Sequence, residues 1–168
     1  PQDKGSFGVT RKYILKDIFP FIPKDFLLDD ISEIQEQHNL AETEKQQLVN
    51  ARLGQGAFRE NLFKIWEGCS VTGCNEPTML RASHIKPWRL CDNRERLDPY
   101  NGLLLVPNFD LAFDNGLISF NLDGKILISD ALSKHDSELL GFSKNMKIKI
   151  HPKNKEYLKY HRKNIFKQ

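Results

Sequence analysis

The 168-residue sequence has only three cysteines and no apolar run long enough to cross a membrane. A membrane-spanning helix needs roughly 20 consecutive apolar residues. So few cysteines argue against a disulfide framework and favour a reducing compartment, so we expect a cytoplasmic protein. A structural zinc site takes four ligands, usually in two close pairs. Cys69 and Cys74 form one such pair and Cys91 stands alone, so we expect no structural Zn²⁺.

Charge is moderate in total but uneven along the chain. The hydrophobic fraction of 39% and the charged fraction of 28% are typical of a single globular domain. The net charge is +3, yet residues 144–168 carry nine Lys or Arg side chains and one acidic residue. Tyr157, Tyr160 and Phe166 lie among these cations, a combination that suits a nucleic-acid backbone. The alternative is a solvated helix face whose aromatic side chains pack inward.

The most informative stretch is residues 81–120, where polar side chains interrupt apolar segments. His84 lies near the end of MLRASHI, Asn101 precedes GLLLV, and Asp110 and Asp114 lie four residues apart in NFDLAFDNG. This spacing places both carboxylates on one face of a short helix. A histidine base, an asparagine and a pair of hard oxygen ligands suit metal-assisted hydrolysis of a phosphodiester.

Several short segments around these residues occur together in one order. They are GQGAFR, CSVTG, SHIKPW, RLDPYNGLLL, DLAFDNGLISF and DGKILIS. With them, the order and spacing of His84, Asn101 and Asp110 resemble the HNH (ββα-metal) endonucleases. The set as a whole is similar to the branch of that family found in restriction-type and genome-defence nucleases. The resemblance covers roughly residues 54–129.

The resemblance implies an α+β fold with a ββα-metal core, flanking N-terminal helices and a basic C-terminal helix. Residues 1–53 would form a helical arm or linker region, and residues 54–168 the nuclease domain. The implied activity is a DNA endonuclease using a single divalent metal, Mg²⁺ or Mn²⁺. Rival interpretations are a homing or toxin nuclease, an RNA-directed nuclease, and a DNA-binding module whose nuclease site is inactive.

The resemblance also assigns roles. His84 would be the general base, since a neutral imidazole can accept a proton from water. The Asn101 amide would bridge the loop between the strands and orient the His84 ring, although an Asn-Gly pair is also a common turn. Asp110 and Asp114 would bind the metal, Asp114 being alternatively a turn residue. The family often carries a ligand before the catalytic histidine, where this chain has Ser83, a poor ligand, so the two carboxylates would compensate.

Basic residues supply the expected DNA contacts. Arg59 and Gln55 would contact phosphate or support the site, with a plain surface arginine as the alternative. The long, charged segment 86–100 is predicted to be a functional loop. The full predicted set is Arg59, Gln55, Lys86, Arg89, Arg94, Lys153, Lys159, Arg162 and Lys163.

The expected partner is double-stranded DNA. Because one site cuts one strand, we expect a homodimer, with apolar residues of 29–53 in its interface. These residues are Ile31, Ile34, Leu40, Leu48 and Val49. They could equally cover the core of one protomer. A chain that begins at Pro1 also leaves room for an upstream specificity domain.

Periodicity and turn residues predict the secondary structure. The predicted helices are 29–37, 43–53, 55–67, a short helix that starts at Pro107 and is capped by Gly116, and 153–166. The predicted strands are 79–85, 103–106, the hairpin pair 117–120 and 125–129, and 146–150.

Overall fold

The computed structural model describes residues 27–53 and 56–168. Helices are α1 Leu27–Gln35, α2 Glu42–Arg52, α3 Gly56–Ile65, α4 Asn93–Leu97, α5 Pro107–Asp114, α6 Lys134–Leu139 and α7 Asn154–Asn164. Strands are β1 Arg81–His84, β2 Gly102–Leu105, β3 Ile118–Phe120 and β4 Ile126–Ile128. The pairs β1–β2 and β3–β4 form two separate antiparallel sheets. The predicted α+β class is confirmed. Among the described residues, no helix has the length and apolar character needed to cross a membrane.

Strands β1 and β2 and helix α5 form a compact ββα unit. All four residues of β2 are buried, as its apolar sequence predicts, and His84 of β1 lies opposite Gly102. Gly102 is extended and starts the strand, so the Asn-Gly pair is not a turn. A Cβ at Gly102 would lie 2.7 Å from Leu62 and 2.9 Å from Phe58. Helix α3 therefore packs directly against the start of β2.

The N-terminal helices α1 and α2 cover the same core. Ile34 and Leu48 are fully buried in it, and Leu40 and Val49 pack against it. Most of the apolar positions considered for a dimer interface are thus buried inside one protomer. This packing agrees with the alternative in which the helices cover the core.

The segment between β1 and β2 is more ordered than the predicted loop. It contains two turns of 3₁₀ helix, Trp88–Leu90 and Pro99–Asn101, on either side of α4. The Asp92 carboxylate accepts from the backbone N–H of Glu95 at 2.8 Å, and the Glu95 carboxylate accepts from that of Asp92 at 2.9 Å. This reciprocal capping box starts α4 and gives the charged segment a fixed shape.

Two strand predictions are corrected. The first strand is shorter than 79–85 because Pro77–Met79 forms a 3₁₀ turn. Residues 146–150 do not form a strand. They make a single bridge, Lys125 with Lys147, because the chain meets β4 only beside the β3–β4 turn.

Helix α7 is fixed to α5 through a buried histidine. The His161 ring stacks on Phe113, with 3.8 Å between ring centroids and 2° between planes. Its Nδ1 lies 2.9 Å from the Ser119 hydroxyl, and its Nε2 donates to the Phe113 carbonyl at 3.0 Å. The chain then crosses the end of α5, where the Lys167 N–H donates to the Gly116 carbonyl at 2.9 Å.

We predict that Gly116→Ala destabilises the protein more than Gly141→Ala. Both glycines follow helix ends with positive φ, +68° and +76°, so alanine strains both by at least about 1 kcal/mol. A Cβ at Gly116 would also lie 2.1 Å from the Ile165 carbonyl oxygen, whereas nothing lies within 4 Å at Gly141. Urea unfolding of both variants measures the difference. Equal losses of stability would contradict the close contact at Gly116.

Candidate active site

A cleft of about 600 Å³ opens beside the ββα unit and contains most of the predicted catalytic residues. It is bounded by the end of α2, by β1 and by α5. The predicted catalytic and metal-binding residues that line it are His84, Ser83, Asp110 and Asp114. Three arginines line it as well: Arg52, Arg59 and Arg81.

The His84 ring is held by two aromatic rings and at one nitrogen. It stacks on Phe58 at 4.2 Å between ring centroids, and it packs nearly perpendicular to Trp88 with 5.4 Å between centroids. Its Nε2 lies 2.9 Å from the carbonyl oxygen of Arg96. Because a carbonyl can only accept, Nε2 carries the proton and Nδ1 keeps its lone pair.

Burial lowers the pKa of His84 from the ordinary histidine value of 6.5 to about 4. The hydrogen bond to Arg96 opposes this effect, and the nearby positive charges of Arg52 and Arg96 add to it. His84 is therefore neutral near pH 7, which is the form that can accept a proton.

The Asn101 amide acts on His84 through the segment between the strands. It is fully buried, and its Nδ2 donates to the Glu95 carbonyl at 3.0 Å and to the Cys91 sulfur at 3.2 Å. Its Oδ1 accepts from the backbone N–H of Lys86 at 2.8 Å. The Arg96 carbonyl that holds the His84 ring follows Glu95 directly. The amide thus bridges the segment between the strands, and its link to the His84 ring runs through that segment.

Asp110 and Asp114 lie one turn apart on α5 and both line the cleft. Burial raises the pKa of Asp110, opposed by the Ser83 hydroxyl and the charge of Arg81. Reduced hydration in the cleft, together with the charge of Asp110, raises the pKa of Asp114 to about 7, although its side chain keeps contact with solvent. Two carboxylates that repel each other are a favourable seat for a divalent cation.

The donor set fits a cation that is only partly held by protein. In the described part of the chain, no three His, Cys, Asp or Glu side chains come together as a metal-binding group. The buried Ser83 hydroxyl makes no hydrogen bond of standard geometry to any described residue. The chain thus offers two carboxylates and one hydroxyl, and water or phosphate oxygens would complete the coordination.

Residues 69–121 match the HNH endonuclease family. The matched segment contains both strands and the helix of the ββα unit, together with His84, Asn101, Asp110 and Asp114. It leaves out α1, α2, α3, β4, α6 and α7. No curated protein matches the chain. The predicted HNH resemblance is confirmed for this segment, and it supports a nuclease that acts on nucleic acid with a divalent metal.

The predicted DNA-binding cations Arg59, Lys86 and Arg89 each have a partner within the protein. Arg59 donates to the carbonyls of Leu80 at 2.8 Å and Pro77 at 2.7 Å, so it supports the turn before β1. Lys86 pairs with Glu95 at 2.6 Å, which helps to shape the segment between the strands. Arg89 pairs with a buried carboxylate of α1, Asp30, at 2.7 Å.

The predicted cations at the C-terminus differ in exposure. Arg162 donates to the Phe120 carbonyl at 2.7 Å, and Lys153 lies over the Tyr100 ring at 4.7 Å. Lys159 and Lys163 are exposed on α7. Arg94, on α4, has a side chain that is 95% exposed. Gln55 lies outside the described residues.

Sequence reasoning missed Arg52 and Arg81 as cleft residues. Arg81 starts β1, and the alternation of a strand places it on the same face as Ser83, so its position could have been inferred. Arg52 ends a helix far from the motif along the chain. Only the packing of α2 against α3 and α4 brings it to the cleft, and no local pattern signals that.

We predict that the His84 imidazole stays neutral at pH 7 and titrates far below 6.5, at about 4. Because the pKa is lower in the folded state, this group stabilises the fold fully above pH 6.5. The contribution is lost as pH falls through the folded-state value. Ring ¹³C NMR of the five histidines, with His84→Gln for assignment, measures the titration. Half-protonation near pH 6.5 would show that the ring is hydrated in solution.

Proposed function

We propose that the protein is a metal-dependent DNA endonuclease of the restriction or genome-defence kind, which hydrolyses phosphodiesters in the cleft. The observation that carries the proposal is the placement of His84 and the Asp110–Asp114 pair in one cleft within the HNH-matched segment. The restriction or defence role is supported by the set of short segments around the motif. Comparing cleavage of modified and unmodified DNA tests that role.

In the proposed reaction, neutral His84 accepts a proton from water at Nδ1 as the water oxygen bonds to phosphorus. The bond from phosphorus to the leaving ester oxygen breaks, and that oxygen takes up a proton from solvent. Its low pKa makes His84 a weak base in the free protein. A bound phosphate anion stabilises the imidazolium form and so raises the pKa of His84. Asn101 keeps the Arg96 carbonyl against Nε2 throughout.

Asp110 and Asp114 would hold the divalent cation, Mg²⁺ or Mn²⁺, with Ser83 beside them. When bound, the cation stabilises the negative charge that develops on the phosphate and the leaving oxygen. The HNH match supports this cofactor class, since such nucleases generally use a divalent metal.

The exposed cations of α7 and α4 would contact the backbone of double-stranded DNA. Lys159 and Lys163 are exposed on α7, Lys153 is exposed immediately before that helix, and Arg94 is exposed on α4. A double-strand break needs two sites, so a homodimer is part of the proposal. Because the apolar residues of α1 and α2 pack into their own protomer, such a dimer would form on another surface.

We predict that His84→Ala lowers the rate of DNA cleavage by about 10²–10⁴-fold, the usual worth of a general base. Plasmid nicking with Mg²⁺ or Mn²⁺, and with EDTA as the metal-free control, measures the rate. His135→Ala is the matched variant, because His135 is exposed on α6 and does not line the cleft. Cleavage by His84→Ala at the wild-type rate would refute the role of the base. Parallel reactions with RNA test the RNA-directed alternative.

We predict that Asp110→Asn weakens Mn²⁺ binding and abolishes metal-dependent cleavage, with Asp114→Asn equal or milder. An amide is a weaker ligand than a carboxylate for a hard cation and removes one negative charge from the seat. Isothermal titration with Mn²⁺ measures the affinity. Asp123→Asn, an exposed carboxylate in the β3–β4 turn, controls for general charge effects. Unchanged Mn²⁺ affinity in both cleft variants would exclude the two-carboxylate seat.

A further inference from the structure

Arg52 lines the cleft although it belongs to neither the HNH motif nor the matched segment. It is the last residue of α2, and it shares the cleft with His84 and Asp114. Its guanidinium carbon lies 5.9 Å from the centre of the Trp88 ring, the same ring that packs perpendicular to His84. The N-terminal helices thus place a positive charge beside the proposed general base.

A buried carboxylate fixes the orientation of this arginine. The Arg52 Nε donates to the Asp30 carboxylate at 2.7 Å, and the Asp30 side chain is only 1% exposed. The other oxygen of Asp30 pairs with Arg89 at 2.7 Å. A planar guanidinium held at Nε has little freedom to rotate, so the direction of its terminal amino groups is set before any ligand binds.

The terminal amino groups of Arg52 remain available. Across residues 27–53 and 56–168, the single hydrogen bond of its guanidinium is the one from Nε to Asp30. Arg59, in the same cleft, differs because both of its terminal nitrogens donate to backbone carbonyls. The Arg52 side chain keeps 28% of its exposure, so its free donors reach the solvent of the cleft.

These donors face the water of the cleft, so the free protein leaves them hydrated at little cost, and a ligand can replace that water. A guanidinium with two adjacent N–H donors free matches the geometry of two phosphate oxygens. The cleft also holds two carboxylates, so a phosphate needs positive charge from the protein as well as from a cation.

We propose that Arg52 binds the phosphodiester group in the cleft, its terminal amino groups donating to non-bridging phosphate oxygens, with Asp30 as its positioning residue. The inference rests on the proposed function for the identity of the reaction. It makes α1 and α2 part of the active site rather than only a cover for the core.

The test compares Arg52→Ala and Arg52→Lys with wild type, with Lys134→Ala as the control. Lys134 is an exposed cation on α6 and does not line the cleft. We expect Arg52→Ala to lower kcat/KM for DNA cleavage by about 10²–10³-fold, the usual effect of one lost charge-stabilising donor. Arg52→Lys should lower kcat/KM nearly as much, because an ammonium group cannot donate two parallel hydrogen bonds to one phosphate.

Two further readouts separate a phosphate contact from a structural role. In EDTA, the logarithm of the DNA affinity falls linearly with the logarithm of the salt concentration. The magnitude of this slope should be about 0.9 smaller for Arg52→Ala than for wild type, and unchanged for Lys134→Ala. Added guanidinium, well below unfolding concentrations, should restore cleavage by Arg52→Ala, and an equal concentration of sodium chloride should not. Thermal unfolding of each variant reports whether the fold is kept.

The outcomes are distinct. Wild-type cleavage and an unchanged salt slope in Arg52→Ala overturn the inference and leave the proposed nuclease intact. Loss of activity with loss of fold and no rescue by guanidinium also overturns it, in favour of a structural arginine. If the wild-type protein cuts no nucleic acid but the salt slope still falls in Arg52→Ala, the proposed function fails and the phosphate site stands.

Discussion

The hydrogen bonds of one buried amide, that of Asn101, hold the site together. Its two donors and its acceptor reach Cys91, Glu95 and Lys86, which are spread over the whole segment between β1 and β2. An aspartate would lack the donors, and a leucine would leave a buried carbonyl and N–H unpaired, at about 1–3 kcal/mol each. The shape of the segment, and with it the carbonyl against His84, depends on an asparagine at this position.

Features that depend on neighbouring residues could be predicted from the sequence. The helix predicted over residues 55–67 is observed as α3, and its apolar residues Phe58 and Leu62 are buried. The strand predicted over residues 103–106 is observed as β2, and all four of its residues are buried. Pro107 and Gly116 marked the beginning and end of α5, which put Asp110 and Asp114 on one face. In each case the deciding interaction lies within one turn or one strand.

Features that depend on long-range packing could not be predicted in this way. The charges of Lys86 and Arg89 suggested solvent and DNA, but each pairs with a carboxylate, on α4 and α1 respectively. The order of the segment between the strands could be predicted in part, since Asp92 and Glu95 have the spacing of a capping box. The position of Arg52 could not be predicted from the sequence, because it results from the packing of whole helices. Residues 146–150 have the composition of a strand but form no strand, because they make only one β-bridge, between Lys147 and Lys125.

The stacking of His161 on Phe113 fixes the distance between helix α7 and the carboxylates of the cleft. Helix α7, which carries exposed lysines, is joined by this stacking and a hydrogen bond to the helix that carries the two carboxylates, so we expect the two helices to move together. On the proposed function, a backbone phosphate held by α7 and the phosphate that is cut lie a constant distance apart. That distance, expressed in nucleotides, is then a property of the fold and is the same for every sequence the protein encounters.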